Sequence, residues 1–327
     1  MEKNKQKIVT IGGGSGSFMV LSGLKKHPVD LSAVVAMSDD GGSTGVLRDE
    51  LGVLPPGDVR QCLVALSQDS NVLRDLFNYR FGDGCLNGHS FGNIFLSAME
   101  KITGSFDKAV VEASRILRIK GYVFPVTFSN TRLVAFSKNN EEIIGEKNIY
   151  KHKDGFSQTK KLYLQPHAKL NPKIINAIEE ADKIVISPGS LYSSLIPNFL
   201  VNGLSNAIKK SKAKIIIVVN LMNKAGQTDG FGAKDYVLEL EKYLGKGVIK
   251  FAIVNTEKPD NLLLKKYSEL GEEIVSKEKS TMSGITIIEK KLLSHKIYKA
   301  NKNDKLANER SVIRHDSDKL AKVIIDL

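Results

Sequence analysis

Short apolar runs that end abruptly in glycine-rich loops, each followed by a helical pattern, constrain this chain more than any other feature. Residues 7–11 form such a run, the loop GGGSGS stops it, residues 18–26 have helical spacing, and residues 31–37 are apolar again. After residue 171 the rhythm resumes with apolar runs at 183–187, 214–219 and 250–254, each leading through a glycine or asparagine loop to a helical stretch. Strands that are apolar throughout, rather than alternating, are buried on both faces, which is the condition of a parallel sheet covered by helices on each side. The pattern predicts an α/β fold built on a doubly wound, mostly parallel, Rossmann-like sheet.

Between the two halves, helices are expected at about residues 59–67, 90–101 and 107–117, and then the period changes. VFPVTF, TRLVAFS, EEIIGE and KLYLQP are short β-like runs parted by polar turns, so a β-rich insertion is predicted at about 121–168 within a single domain spanning 1–327. The tail, from about residue 285, carries the strand-like ITIIEKK and a last helix with Leu320, Val323, Ile324 and Leu327 along it.

Composition excludes several classes. With 42% hydrophobic and 26% charged residues the chain is too apolar for disorder. Its apolar runs are far shorter than the roughly 20 residues of a membrane span, and the run at 8–11 is too short for a secretory signal, so a cytoplasmic protein without a membrane segment is expected. Two cysteines without CxxC spacing suggest neither disulfides nor a zinc site, and Cys62 falls on an apolar helical stripe with Val59, Leu63 and Leu66. The net charge of +12 comes from scattered lysines without interleaved arginine and aromatic residues, which argues against nucleic acid and for a solvated surface that attracts anions.

In open α/β sheets ligands bind outside the carboxyl ends of the strands, so the loops there are the candidates for function. Gly12, Gly13, Gly14, Ser15 and Gly16 follow the first strand and precede a helix, a phosphate cradle of backbone N–H groups that is neither a Walker loop nor a full GxGxxG. Asp39 and Asp40 leave the next strand in SDDGGSTG, which runs on to Asp58 in PPGD. Carboxylates there suit Mg²⁺, with Asp40 and Asp58 as its ligands, or a ribose hydroxyl as in a dinucleotide site. GHSFGN places His89 just outside a helix that Ser90 would cap, with Asn93 one turn in; SPGSLYSS offers Gly189 and Ser190 to an anion; and Asn220 opens NLMNKAGQTDGF, a loop long enough to act as a lid. No HExxH or cysteine–histidine pair supports a hydrolase.

GGGSG, SDDGGSTGVLRDELGVLPPGDVRQCLVAL, GHSFGN, ISPGSLYSSLIPNFLVNGLSNAI and NLMNKAGQTDGF, in that order, resemble the successive signatures of the gluconeogenesis factor family of the CofD-like superfamily. The resemblance implies a CofD-like core and a cytoplasmic regulatory factor that binds UDP-sugars, UDP-N-acetylglucosamine above all. It further implies a role in cell-wall precursor supply and cell shape under gluconeogenic growth, with a protein partner in that synthesis and room for a homodimer. It carries a ligand-contacting tyrosine onto Tyr267 in LKKYSEL and an arginine onto Arg314 in VIRHD. In the transferase branch of the superfamily, acids matching Asp40 and Asp58 hold a metal for 2-phospho-L-lactate transfer. The DDGGSTG extension departs from that branch, so a non-catalytic regulator is the reading preferred over a Mg²⁺-dependent transferase and over a dinucleotide-binding protein.

Overall fold

The computed structural model describes residues 5–68, 71–152, 156, 159–276, 284–296 and 311–327. In chain order its elements are β1 (Gln6–Gly12), α1 (Gly14–Leu24), β2 (Val29–Val35), α2 (Gly42–Leu51), α3 (Gly57–Leu66), α4 (Asn71–Asn78), α5 (Phe91–Thr103), α6 (Phe106–Ile116) and β3 (Tyr122–Pro125). There follow β4 (Arg132–Ser137), β5 (Glu142–Ile144), α7 (Glu146–Lys151), β6 (Thr159–Gln165), α8 (Lys173–Glu179) and β7 (Lys183–Ile186). A π-helical turn, Leu191–Leu195, runs into α9 (Ile196–Phe199). The last elements are α10 (Leu204–Lys210), β8 (Lys214–Val218), α11 (Ala233–Leu244), β9 (Phe251–Asn255), α12 (Asn261–Glu269), β10 (Thr286–Lys290) and α13 (Ser317–Asp326).

Seven strands form one sheet in the order β10-β9-β8-β7-β1-β2-β3, and every pairing in it is parallel. The most apolar strands occupy its middle: the four residues of β7 are buried, as are Ile215, Ile216, Ile217 and Val218 of β8. Around the sheet, α1 packs on α3 and α13, and α10 packs on α8, α9 and α11. Cys62 of α3 lies inside the core, where burial pushes its thiol far up and leaves it unreactive.

The chain steps from β1 outward to β2 and β3, then returns to the other flank of β1 as β7 and steps outward again to β8, β9 and β10. Strand order therefore reverses between β1 and β7, and the loops leaving their carboxyl ends diverge there to form a crevice. The insertion is smaller than the sequence suggested. Residues Tyr122–Pro125 are not part of it but form the parallel edge strand β3, in register with Ser32 to Val35; the separate antiparallel sheet, β5-β4-β6, begins only at Arg132. An edge strand with one partly solvated face has the same local pattern as a strand of a small antiparallel sheet, so sequence could not separate them. Among the described residues no helix is long and apolar enough to cross a membrane.

Candidate functional site

A cleft of about 310 Å³ opens at the strand-order reversal. Gly13, Gly14, Ser15 and Gly16 line it from the end of β1, Gly189 and Ser190 from the end of β7, Asp39 from the end of β2, Asn220 from the end of β8, and Arg314 from the segment before α13.

Close backbone approach explains the glycines. A Cβ on Gly16 would lie 1.6 Å from the carbonyl oxygen of Pro188, so the loops after β1 and β7 touch main chain to main chain. A Cβ on Gly13 would lie 2.1 Å from Oδ2 of Asp58, in the first turn of α3. Gly13 caps α1 without a side chain to accept from the helix's first N–H groups, the donors that a helix N-terminus offers an anion. On the facing side Asn220 holds Gly189 at both ends: its Oδ1 accepts from Gly189 N at 2.8 Å and its Nδ2 donates to Gly189 O at 2.8 Å. Ser190 Oγ donates to Gln227 Oε1 at 3.0 Å.

The long loop that Asn220 opens is braced rather than a loose lid. Lys224 N donates to Thr228 Oγ1 at 2.9 Å, Asn223 Nδ2 to Phe231 O at 2.8 Å, and the buried Tyr236 hydroxyl to Asn223 Oδ1 at 3.2 Å. From it Lys224 lines the cleft while its ammonium sits 4.7 Å from the centre of the Tyr150 ring on α7.

Four residues expected at the site lie elsewhere, and Gly12 is absent from the cleft lining because it closes β1 beneath the loop. Asp40 belongs to the insertion: its Oδ1 accepts from Lys147 N at 2.9 Å, and its Oδ2 is 3.7 Å from Arg132. Asp39 and Asp40 both lie in the loop after β2, where Asp39 lines the cleft and Asp40 does not. His89 and Asn93 join a polar network behind it, with Ser43 Oγ 3.0 Å from His89 Nδ1, Asn93 Nδ2 donating to Ser43 Oγ at 3.2 Å, and Arg60 Nε donating to Asn93 Oδ1 at 2.9 Å. Tyr267 is 7% exposed, and its hydroxyl accepts from Val312 N at 2.7 Å and Ile313 N at 3.2 Å, fixing the segment that delivers Arg314.

Sequence reasoning missed Glu146, Lys224, Glu272 and His315, all of which line the cleft. Glu146 opens α7, and burial, then the Asp39 charge beside it, hold its carboxyl well above the usual carboxylate range; Ser193 partly offsets this by a hydrogen bond. Burial also raises Glu272, against the opposing pull of Lys224. His315 is 4% exposed and burial pushes its imidazole down to about 4. Of the pair read from sequence for Mg²⁺, Asp58 lines the cleft, Asp40 Oδ1 accepts from Lys147 N at the start of α7, and both charges act on the Glu146 carboxyl. Among the described residues no three His, Cys, Asp or Glu side chains converge on a metal-sized site.

Comparison with known proteins agrees with this architecture. Residues 8–293 match the family described as 2-phospho-L-lactate transferase CofD. A provisionally named gluconeogenesis factor of Thermotoga maritima is 44% identical over 97% of this chain and 98% of its own. The gluconeogenesis factor of Bacillus subtilis is 38% identical over 99% and 98%. The crystal structure of a UPF0052 family member from Bacillus halodurans superposes with a TM-score of 0.89, at 34% identity over 99% of both chains. With the fold, the order of its loops and full-length likeness in agreement, the chain belongs to the gluconeogenesis factor family within the CofD-like proteins.

Proposed function

We propose that the cleft binds a nucleotide sugar, UDP-N-acetylglucosamine first, and that the protein is a regulatory factor rather than an enzyme. Through a partner in cell-wall precursor synthesis it supports precursor supply and cell shape during gluconeogenic growth. The observation that carries this reading is that Gly13–Gly16, Gly189–Ser190 and Arg314, from chain segments far apart in sequence, line one cleft at the strand-order reversal. Backbone N–H groups and a guanidinium are the donors a diphosphate needs. The charges are compatible: Lys224 and Arg314 stand against Asp39 and Asp58, and the environments of Glu146 and Glu272 favour their neutral forms. Tyr267 contributes by holding the segment that carries Arg314 rather than by stacking on the ligand.

A second reading, phospho-group transfer of the CofD type, is favoured by Asp39 and Asp58 facing the same cleft. Calorimetric titration with UDP-N-acetylglucosamine decides between them. Saturable binding that persists in EDTA, and that Arg314→Ala weakens at least about tenfold, is expected for the regulator. Binding that demands Mg²⁺, with turnover of a nucleotide-linked phospholactate donor, would replace it by the transferase; preference for NAD would move Asp39 to a ribose.

A further inference from the structure

His315 has no assigned task, yet its surroundings are unusual. It lines the cleft while 4% exposed. One ring nitrogen donates to the backbone carbonyl of Val219, just past β8, whereas Nε2 is shut off from bulk water and has no hydrogen-bond partner among the described residues. With Nδ1 carrying the proton, Nε2 is left as a lone-pair acceptor. The ring is held firmly. Its main chain pairs with Leu293, Tyr267 grips Val312 and Ile313 just before it, and Asp316 just after it caps α13 through Asp318 N and Lys319 N, both at 3.0 Å. Burial keeps the imidazole neutral at any physiological pH, so the acceptor does not become a donor. An unmet buried acceptor is costly, so a donor brought to Nε2 by a ligand would be favourable.

We propose that His315 reads the ligand: its Nε2 accepts a hydrogen bond from an N–H or O–H donor of the nucleotide sugar outside the diphosphate. This rests on the nucleotide-sugar reading above. Arg314 and His315 are adjacent, so one residue answers the anion and the next the neutral part of the same molecule. Access to Nε2 requires the wall of the cleft to yield. Met19 lines the same cleft with its sulfur 3.9 Å from Ser317 Oγ, and an unbranched thioether yields to a ligand readily. The donor is either the uracil imide or a group on the sugar, and both present the same chemistry to Nε2.

The test is calorimetry on the full chain, wild type against His315→Phe and His315→Gln, with UDP-N-acetylglucosamine, UDP and N3-methyl-UDP. His315→Phe is expected to weaken UDP-N-acetylglucosamine by about 10- to 100-fold, and His315→Gln, which returns an acceptor near the Nε2 position, to recover most of that. If the imide is the donor, N3-methylation costs the wild type the same factor and His315→Phe nothing; if the sugar is, UDP alone binds both proteins equally. Should His315→Phe fail to fold, the 15N resonance of Nε2 in the wild type answers instead, since a bound donor shifts it. Equal affinities of wild type and His315→Phe, or an Nε2 resonance unmoved at saturation, overturn the inference alone. A wild type that takes up no nucleoside diphosphate overturns the proposed function and the inference together.

Discussion

Replacing Gly16 by alanine tests the joint on which the cleft depends. In an ordinary helix the exchange would gain about 1 kcal/mol, because alanine loses less backbone entropy than glycine. Here the new Cβ would lie 1.6 Å from Pro188 O, and the loops would have to separate by about 1.8 Å to restore an ordinary contact of 3.4 Å. The Pro188 loop cannot simply retreat, since Asn220 clamps Gly189 through two hydrogen bonds of 2.8 Å and Gln227 holds Ser190 at 3.0 Å. Overpacking at such a site costs about 3 kcal/mol, so the clash outweighs the helical gain and leaves a net loss of about 2 kcal/mol. Urea unfolding should show a lower midpoint at unchanged slope, and calorimetry an affinity for UDP-N-acetylglucosamine reduced at least about tenfold. Gly13→Ala is the informative contrast. Its Cβ meets Asp58 Oδ2, the end of a side chain that can rotate away, so stability should fall by less than about 1 kcal/mol while binding suffers from the displaced carboxylate. A Gly16→Ala protein that is more stable than wild type and binds equally well would refute the close approach of the two loops.

Tyr267→Phe should weaken binding only through Arg314, so its effect and that of Arg314→Ala will not add in a double-mutant cycle; additive losses would mean that the tyrosine meets the ligand itself. His315 should make the fold acid-sensitive. Its imidazole is near 4 folded against an ordinary 6.5, so only the unfolded chain takes up the proton between those values, and about 3 kcal/mol of stability is lost as pH falls from 6.5 to 4. Urea midpoints across that range should level out in His315→Phe. Glu146 acts in the opposite direction: its folded carboxyl keeps a proton that the unfolded chain releases above 4.5, so stability falls as pH rises from there. Glu146→Gln should therefore stabilise the protein at neutral pH and change nothing below pH 4.5, and an equal effect at both would show that the carboxyl titrates normally.

Main-chain requirements were the legible part of this site. Gly13, Gly16 and Gly189 stand in contiguous strings at strand ends, where only close approach or positive φ calls for glycine, and the parallel strands declared themselves by lacking a polar alternate face. Side-chain direction was not legible. Asp39 and Asp40 are equivalent in sequence, and only the folded course of the loop after β2 sends one to the cleft and the other to Lys147. Glu146 was hidden because α7 is six residues long and reads as a turn between β runs. The helix α2 was hidden by its own glycines, in a stretch that reads as loop. For His315 a signal was present, its place beside Arg314, but a single histidine on an apolar segment has no periodicity to set it apart from core.

The position of the insertion follows from the topology rather than from its own sequence. A doubly wound sheet changes direction once, and here the change is made by the connection from β3 back to β7. The strands β4, β5 and β6 and the helix α7 all lie within that connection, between Pro125 and Lys183. Chain added there must pass from the far edge of the sheet to its middle, and so it is carried past the crevice that the reversal creates. Asp40 then fixes the start of α7 through Lys147 N, which aims Glu146 at the cleft and sets Tyr150 beneath Lys224. The aspartate that sequence assigned to a metal thus serves the ligand site at one remove: it anchors the helix whose Glu146 lines the cleft.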